Sequence, residues 1–330
     1  MTIQDYLTAL GPLAPLMQDE TVAEIMVDAP DKIYVERRGL LEDADVTFAS
    51  PEAVRAVIDA TLALEAIQLG PQRTAAEIRL PDGSRFLAVI PPTALDGACL
   101  VVRKFFPQRL NMEKLYEYGA ITPEAHALLR SAVLARQNII VAGGTASGKT
   151  TFLNILTDDI PDDERVVVVE EIAELFPRVQ RVVRLAVENS SGLSYIDLIN
   201  IGARLRPDRL IFGELRGAEV MRLLEMTSVG HEGNLMTMHA DSPEDALARL
   251  EAMCLMANLG LGLAEIRRLI ASTVNVISVL HRLPSGNRKV VQIAELRGLE
   301  DDHYVLQPLM RYNPETDKFE MMGVKPSWEK

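Results

Sequence analysis

Apolar positions along this chain follow two rhythms. Up to about residue 105 they come in short alternating runs. Val22 to Val27 and Ile33 to Glu36 predict strands joined at Ala29-Pro30-Asp31, and Ala75 to Leu80 with Phe86 to Ile90 predict a hairpin around Asp82-Gly83. Cys99 to Lys104 predicts a closing strand. Ser50-Pro51-Glu52 predicts a helix start, with an N-cap, a proline in the first turn and an acid near the positive end. Phe106 to Gly119 has no clean period. Thr122-Pro123-Glu124 then opens a helix whose Ala125, Leu128, Leu129, Ala132 and Val133 form one apolar stripe. Beyond it, strand-length apolar runs alternate with helices. The runs are Asn138 to Ala142, Arg165 to Val169, Arg209 to Phe212 and Leu235 to Met238. The helices cover Thr151 to Leu156, start near Ser194 with Asp197 as a capping-box partner, and run from Ser242-Pro243-Glu244 to about Met256. From Val274 onward the pattern is strand and turn.

This order predicts an α+β domain over 1–105 on a mostly antiparallel sheet, a linker over 106–120, and an α/β domain over 121–330. Apolar runs separated by helices call for a parallel sheet covered on both faces, and the last stretch predicts a β-rich tail.

Composition narrows the classes. At 330 residues and 48% hydrophobic, the chain can bury two cores. A net charge of −13, with only short basic clusters, argues against nucleic acid as the main partner. Cys99 and Cys254 stand alone in apolar surroundings and read as small buried hydrophobes. The N-terminal residues show no signal peptide, and no stretch of about 18 apolar residues is present, so a cytoplasmic location is expected.

Chemistry concentrates in four places. Gly143, Gly144, Thr145, Ala146, Ser147, Gly148, Lys149 and Thr150 spell a phosphate loop between a strand and a helix, with Thr151 in the helix's first turn. Such a loop wraps backbone N–H groups around phosphates, Lys149 reaches the β/γ oxygens of ATP, and the Thr150 hydroxyl ligates Mg²⁺. Val169 to Leu175 ends a strand in Glu170, Glu171 and Glu174; it reads either as a catalytic carboxylate loop or as a solvated acidic loop. Arg204 to Gly217 is an apolar strand ending in Glu214, the layout of a Walker B acid that holds Mg²⁺ through water. Gly230 to Ala240 places His231 and His239 on either side of a strand, a poor spacing for a metal site.

In this order and spacing, the four segments resemble the secretion traffic ATPases of type II and type IV secretion and of type IV and Tad/Flp pili. Glu170 to Leu175 is similar to their Asp box, Arg206 to Gly217 to their Walker B motif and Gly230 to Ala240 to their His box. Val22 to Val27, Leu80 to Arg85, Ile90 to Leu95 and Val101 to Phe105 resemble the Tad pilus ATPase branch (CpaF). The conjugative type IV secretion ATPases are the second branch. Lone cysteines argue against the type II branch with its tetracysteine insert. The resemblance implies a RecA-like P-loop domain behind a PAS-like N-terminal domain. It also implies ATP hydrolysis with Mg²⁺, a homo-hexamer, and peripheral attachment to an inner-membrane pilus or secretion platform. Among site residues it implies Glu174 as the catalytic carboxylate with Glu170 as second candidate, Glu214 as the Walker B acid, and His239 at the γ-phosphate. Arg85 and Arg103 match N-terminal-domain arginines that close onto nucleotide. Two positions depart from the family: Glu171 stands in place of Asp, and Ala146 in place of a common Gly, where tolerance is expected as for a position outside the tight turns. A RecA-like nucleic-acid translocase, a nucleotide-switched scaffold and a small-molecule kinase are the competing classes.

Overall fold

The structure, a computed structural model, describes residues 2–37, 39–105, 110–187, 191–228 and 230–329. The chain divides into two compact units, Met1–Arg109 and Leu110–Lys330.

The first unit is built on a six-stranded sheet. Its order is Leu40–Asp43, Lys32–Arg37, Val22–Ala29, Cys99–Arg103, Arg85–Val89, Ala75–Arg79, antiparallel at every pairing. Alternation explains the strands: in Arg85–Val89, Phe86 and Ala88 are buried while Leu87 is exposed. The buried set, including Ile25, Phe86 and Val102, packs with Tyr6 and Leu10 of helix Ile3–Leu10 and with Ile58 and Leu62 of helix Pro51–Ala63. Ser50 caps the latter, its Oγ accepting from Ala53 N at 3.3 Å. The hairpin turn needs glycine: Gly83 has φ +92°, and a Cβ there would sit 2.9 Å from the Phe105 ring.

The second unit carries nine strands. Their order is Lys318–Met321, His303–Asn313, Arg288–Glu300, Val276–Arg282, Ile139–Gly143, Leu235–Met238, Arg209–Leu215, Arg165–Glu170, Arg181–Ala186. From Val276–Arg282 to Arg181–Ala186 every pairing is parallel; the remaining three strands extend the sheet antiparallel. The uninterrupted apolar runs follow from burial on both faces. Ile139, Val141, Val166 and Val168 face one core with Leu129, Phe152 and Leu153. Ile140, Ala142, Val167 and Val169 face the other with Ile199, Leu224 and Leu250. Helix Pro243–Met256 starts where its signals put it, with Ser242 Oγ accepting from Asp245 N at 3.0 Å. At Ser194 the expected capping box with Asp197 is present.

The segment 106–120, expected as a linker, is a helix in part. Residues 106–109 lie outside the described residues. Met112–Glu117 is helical, with Asn111 Oδ1 accepting from Lys114 N at 3.0 Å, and Met112 and Leu115 enter the second unit's core. Six residues give fewer than two turns, too few to show a period.

Candidate nucleotide site

Parallel strands bring their carboxyl ends to one edge of a sheet, and that is where ligands bind in open α/β sheets. Here that edge collects Gly143, Glu170, Glu214 and, just past Met238, His239. Strand Ile139–Gly143 runs into the phosphate loop, which turns into helix Lys149–Leu156. Gly143 is required by packing: a Cβ there would lie 2.4 Å from the Leu280 carbonyl oxygen and 2.5 Å from Ser147 Oγ. Gly148 has φ +91°. Lys149 is buried and donates from Nζ to the Gly144 oxygen at 2.9 Å; Ser147 Oγ donates to the same oxygen at 2.9 Å. From the antiparallel extension, Arg288 Nε donates to the Ala146 oxygen at 2.9 Å.

The tolerance expected at Ala146 needs correction. Its φ is +58°, in the left-handed region where a Cβ crowds the carbonyl. Ala146→Gly is expected to raise stability by up to about 1 kcal/mol, measured by denaturant unfolding without nucleotide. An unchanged or lower midpoint would contradict the strain.

The acidic residues differ sharply in environment. Glu170 ends its strand 1% exposed. Its Oε1 accepts from the backbone N–H groups of Glu174 at 2.8 Å and Leu175 at 2.9 Å, while its Oε2 is buried without a hydrogen-bond partner. Burial pushes its carboxyl up to about 7, against the opposing pull of those two N–H groups. A Cβ on Gly213 would come 3.0 Å from Glu170 Cγ, so that glycine makes room for the acid. Glu174 is half-buried on the loop that Glu170 holds. Glu171 is exposed and pairs with Arg216 at 3.1 Å.

Glu214 lies between two basic groups. Its Oε2 pairs with Arg216 Nη2 at 2.5 Å. His239 Nε2 lies 2.8 Å from Oε1, a close approach that makes no hydrogen bond, and that oxygen is buried. Burial first, then the nearby Lys149 charge, lowers the His239 pKa against the opposing pull of Glu214, which favours the neutral imidazole. Strand contacts fix this edge: Thr237 Oγ1 donates to the Gly213 carbonyl, and the half-buried Tyr195 places its hydroxyl 3.4 Å from the Val169 and Glu214 carbonyl oxygens.

The other half of each motif is structural. At the amino ends of the strands, buried Arg209 bonds Glu164 and the Val133 oxygen at 2.8 Å, and Asp208 accepts from Arg165 N at 2.7 Å. His231 Nδ1 lies 3.2 Å from the Met226 oxygen, and its own carbonyl accepts from Asn234. This histidine is therefore a loop residue at the end away from His239.

In the first unit, Arg85 and Arg103 are register partners on neighbouring strands. Arg85 pairs with Glu77 at 2.6 Å and Arg103 with Glu24 at 3.5 Å, offsetting the repulsion of like charges placed opposite each other.

The second-unit residues fit a magnesium–nucleotide group. The loop offers a helix amino end, a buried lysine and a half-buried Thr150 hydroxyl, and Glu214 adds an unpartnered buried carboxylate oxygen. Sequence reading missed Tyr195 and Arg288, since neither stands in a phosphate-binding pattern.

A family model described as "Type II/IV secretion system protein" matches residues 7–309. A Mycobacterium tuberculosis protein, provisionally named for conjugal transfer, is 33% identical over 94% of this chain and 95% of its own. The conjugal transfer protein TrbB of Rhizobium radiobacter is 30% identical over 88% and 89%. The type IV secretion system protein VirB11 of Brucella suis is 29% identical over 82% and 84%. Among solved structures, the Legionella pneumophila ATPase DotB aligns with a TM-score of 0.60 at 17% identity, covering 92% of this chain and 81% of that one. The pilus retraction motor PilT with bound ADP aligns at 0.61 and 17%, covering 90% and 82%. These two share the fold. The relatives carry conjugal-transfer and type IV secretion names, which back the second branch better than the Tad branch.

Proposed function

We propose that this chain, which belongs to the Type II/IV secretion system protein family, is a Mg²⁺-dependent ATPase of a type IV secretion or conjugal transfer apparatus. One observation carries the reading: the phosphate loop, the Glu170–Glu174 loop and the Glu214–His239 pair meet at one edge of the parallel sheet.

The roles follow from the chemistry. The loop N–H groups and Lys149 bind the nucleotide phosphates, exchanging the Gly144 carbonyl for phosphate oxygen at Lys149 Nζ. Thr150 and, through water, Glu214 would hold Mg²⁺, which when bound neutralises phosphate charge. Glu174 orients water and takes its proton. Glu170 positions the Glu174 loop through two backbone N–H groups. Neutral His239 donates a hydrogen bond at the γ-phosphate without adding charge. Arg85 and Arg103 are the arginines that the N-terminal unit presents to nucleotide.

Assembly as a ring of six, docked on an inner-membrane platform protein, completes the proposal. Among the described residues no helix is long and apolar enough to cross a membrane. Native mass spectrometry with a non-hydrolysable ATP analogue should show six copies; a strict monomer at micromolar concentration would contradict it. In the producing cell, Lys149→Ala should abolish transfer of the secreted or conjugated substrate. Loss of a surface pilus with intact transfer would favour the Tad reading instead.

A further inference from the structure

We infer that Arg288 is a positioning residue for nucleotide binding, acting from the antiparallel extension on the backbone of the phosphate loop. It opens the strand Arg288–Glu300, 142 residues from the loop in sequence, and pairs across its hairpin with Arg282. Its Nε donates to the Ala146 carbonyl oxygen at 2.9 Å. Its Cδ lies 3.2 Å from where a Cβ on Gly148 would stand, so its stem lies close against the loop. The contact falls where the loop most needs support. Ala146 is left-handed at φ +58° and Gly148 at φ +91°, and between them the chain turns to start helix Lys149–Leu156. A phosphate loop binds through the direction of its N–H groups, and a peptide unit is planar. Fixing the Ala146 carbonyl therefore fixes the N–H of Ser147, which shares that peptide plane. Arg288 thus holds a strained peptide in its binding orientation, and the nucleotide does not have to order it.

This inference rests on the nucleotide-site reading above, and the test separates the two. Arg288→Ala, Arg288→Gln and the double variant Arg288→Ala with Ala146→Gly are compared with wild type for binding of a fluorescent ATP analogue, for KM and kcat of ATP hydrolysis, and for Tm without nucleotide. Loss of one hydrogen bond at the loop should weaken binding and raise KM about fivefold to tenfold in Arg288→Ala. Tm without nucleotide should stay near wild type, and kcat should change less than KM. Gln places an N–H on Cδ, as Arg places Nε, but carries no charge. Arg288→Gln should therefore restore most of the affinity. With Gly at 146 the left-handed turn is unstrained, so the cost of losing Arg288 should shrink in the double variant, a coupling that independent sites do not show. Wild-type affinity in Arg288→Ala would overturn the inference alone. So would a Gln variant as weak as Ala, which would assign the effect to charge, or purely additive effects in the double variant. A wild-type chain that binds no nucleotide would overturn the inference and the functional reading together.

Discussion

Glu174→Gln is expected to bind ATP nearly as wild type does while losing about 10²- to 10⁴-fold in turnover, the range for removing a general base. The amide keeps the size of the side chain but takes no proton from water. The backbone at 174 should be unaffected, because Glu170 holds it through the N–H and not through the substituted side chain. Single-turnover hydrolysis, with analogue binding measured in parallel, checks both halves. Near-normal turnover in Glu174→Gln would move the base to Glu170 or Glu214. Lys149→Ala, by contrast, should lose affinity as well as turnover, since it removes a direct phosphate contact.

Glu170 should make stability fall as pH rises. Its folded-state pKa, about 7, lies above the ordinary 4.5 because the ionised carboxylate is poorly solvated in its buried position. Below about pH 4.5 both folded and unfolded chains hold the proton, and the group's contribution is complete. Between about 4.5 and 7 the folded chain keeps a proton that the unfolded chain has released, so the contribution is lost progressively as pH passes through this window. At roughly 1.4 kcal/mol per unit, the whole decrement is about 3 kcal/mol. Gln at 170 can still accept the N–H groups of Glu174 and Leu175 but has nothing to ionise. Denaturant unfolding of wild type and Glu170→Gln from pH 4 to pH 8 should show this decrement in wild type and its removal in the variant. Parallel pH profiles would show that Glu170 is ionised without penalty.

Much of this was legible in the sequence, for identifiable reasons. The four-valine run Val166–Val169 reads as a doubly buried strand because both of its faces meet helices. The phosphate loop is legible because its chemistry is local, with glycines, lysine and threonine at fixed spacing. Residue type alone could not say which of Glu170 and Glu171 is buried. They are adjacent acids whose side chains leave the backbone in different directions, one into the interior and one out to Arg216. Arg288 was invisible because its partner is distant in the chain and is a backbone carbonyl, which leaves no mark in sequence. The edge strand Arg181–Ala186 is absent from the predicted strands, since its charges interrupt the apolar run that marks its neighbours. Ala146 is the converse case: alanine itself gives no warning of the left-handed backbone that the turn imposes, and only the glycine common at this position in the family points to it.

Steady-state ATP hydrolysis by the purified chain with Mg²⁺, beside Lys149→Ala at equal concentration, decides whether this site is an ATPase site. Turnover should need Mg²⁺ and vanish in Lys149→Ala. Turnover that is absent in wild type, or equal in the two proteins, would contradict it.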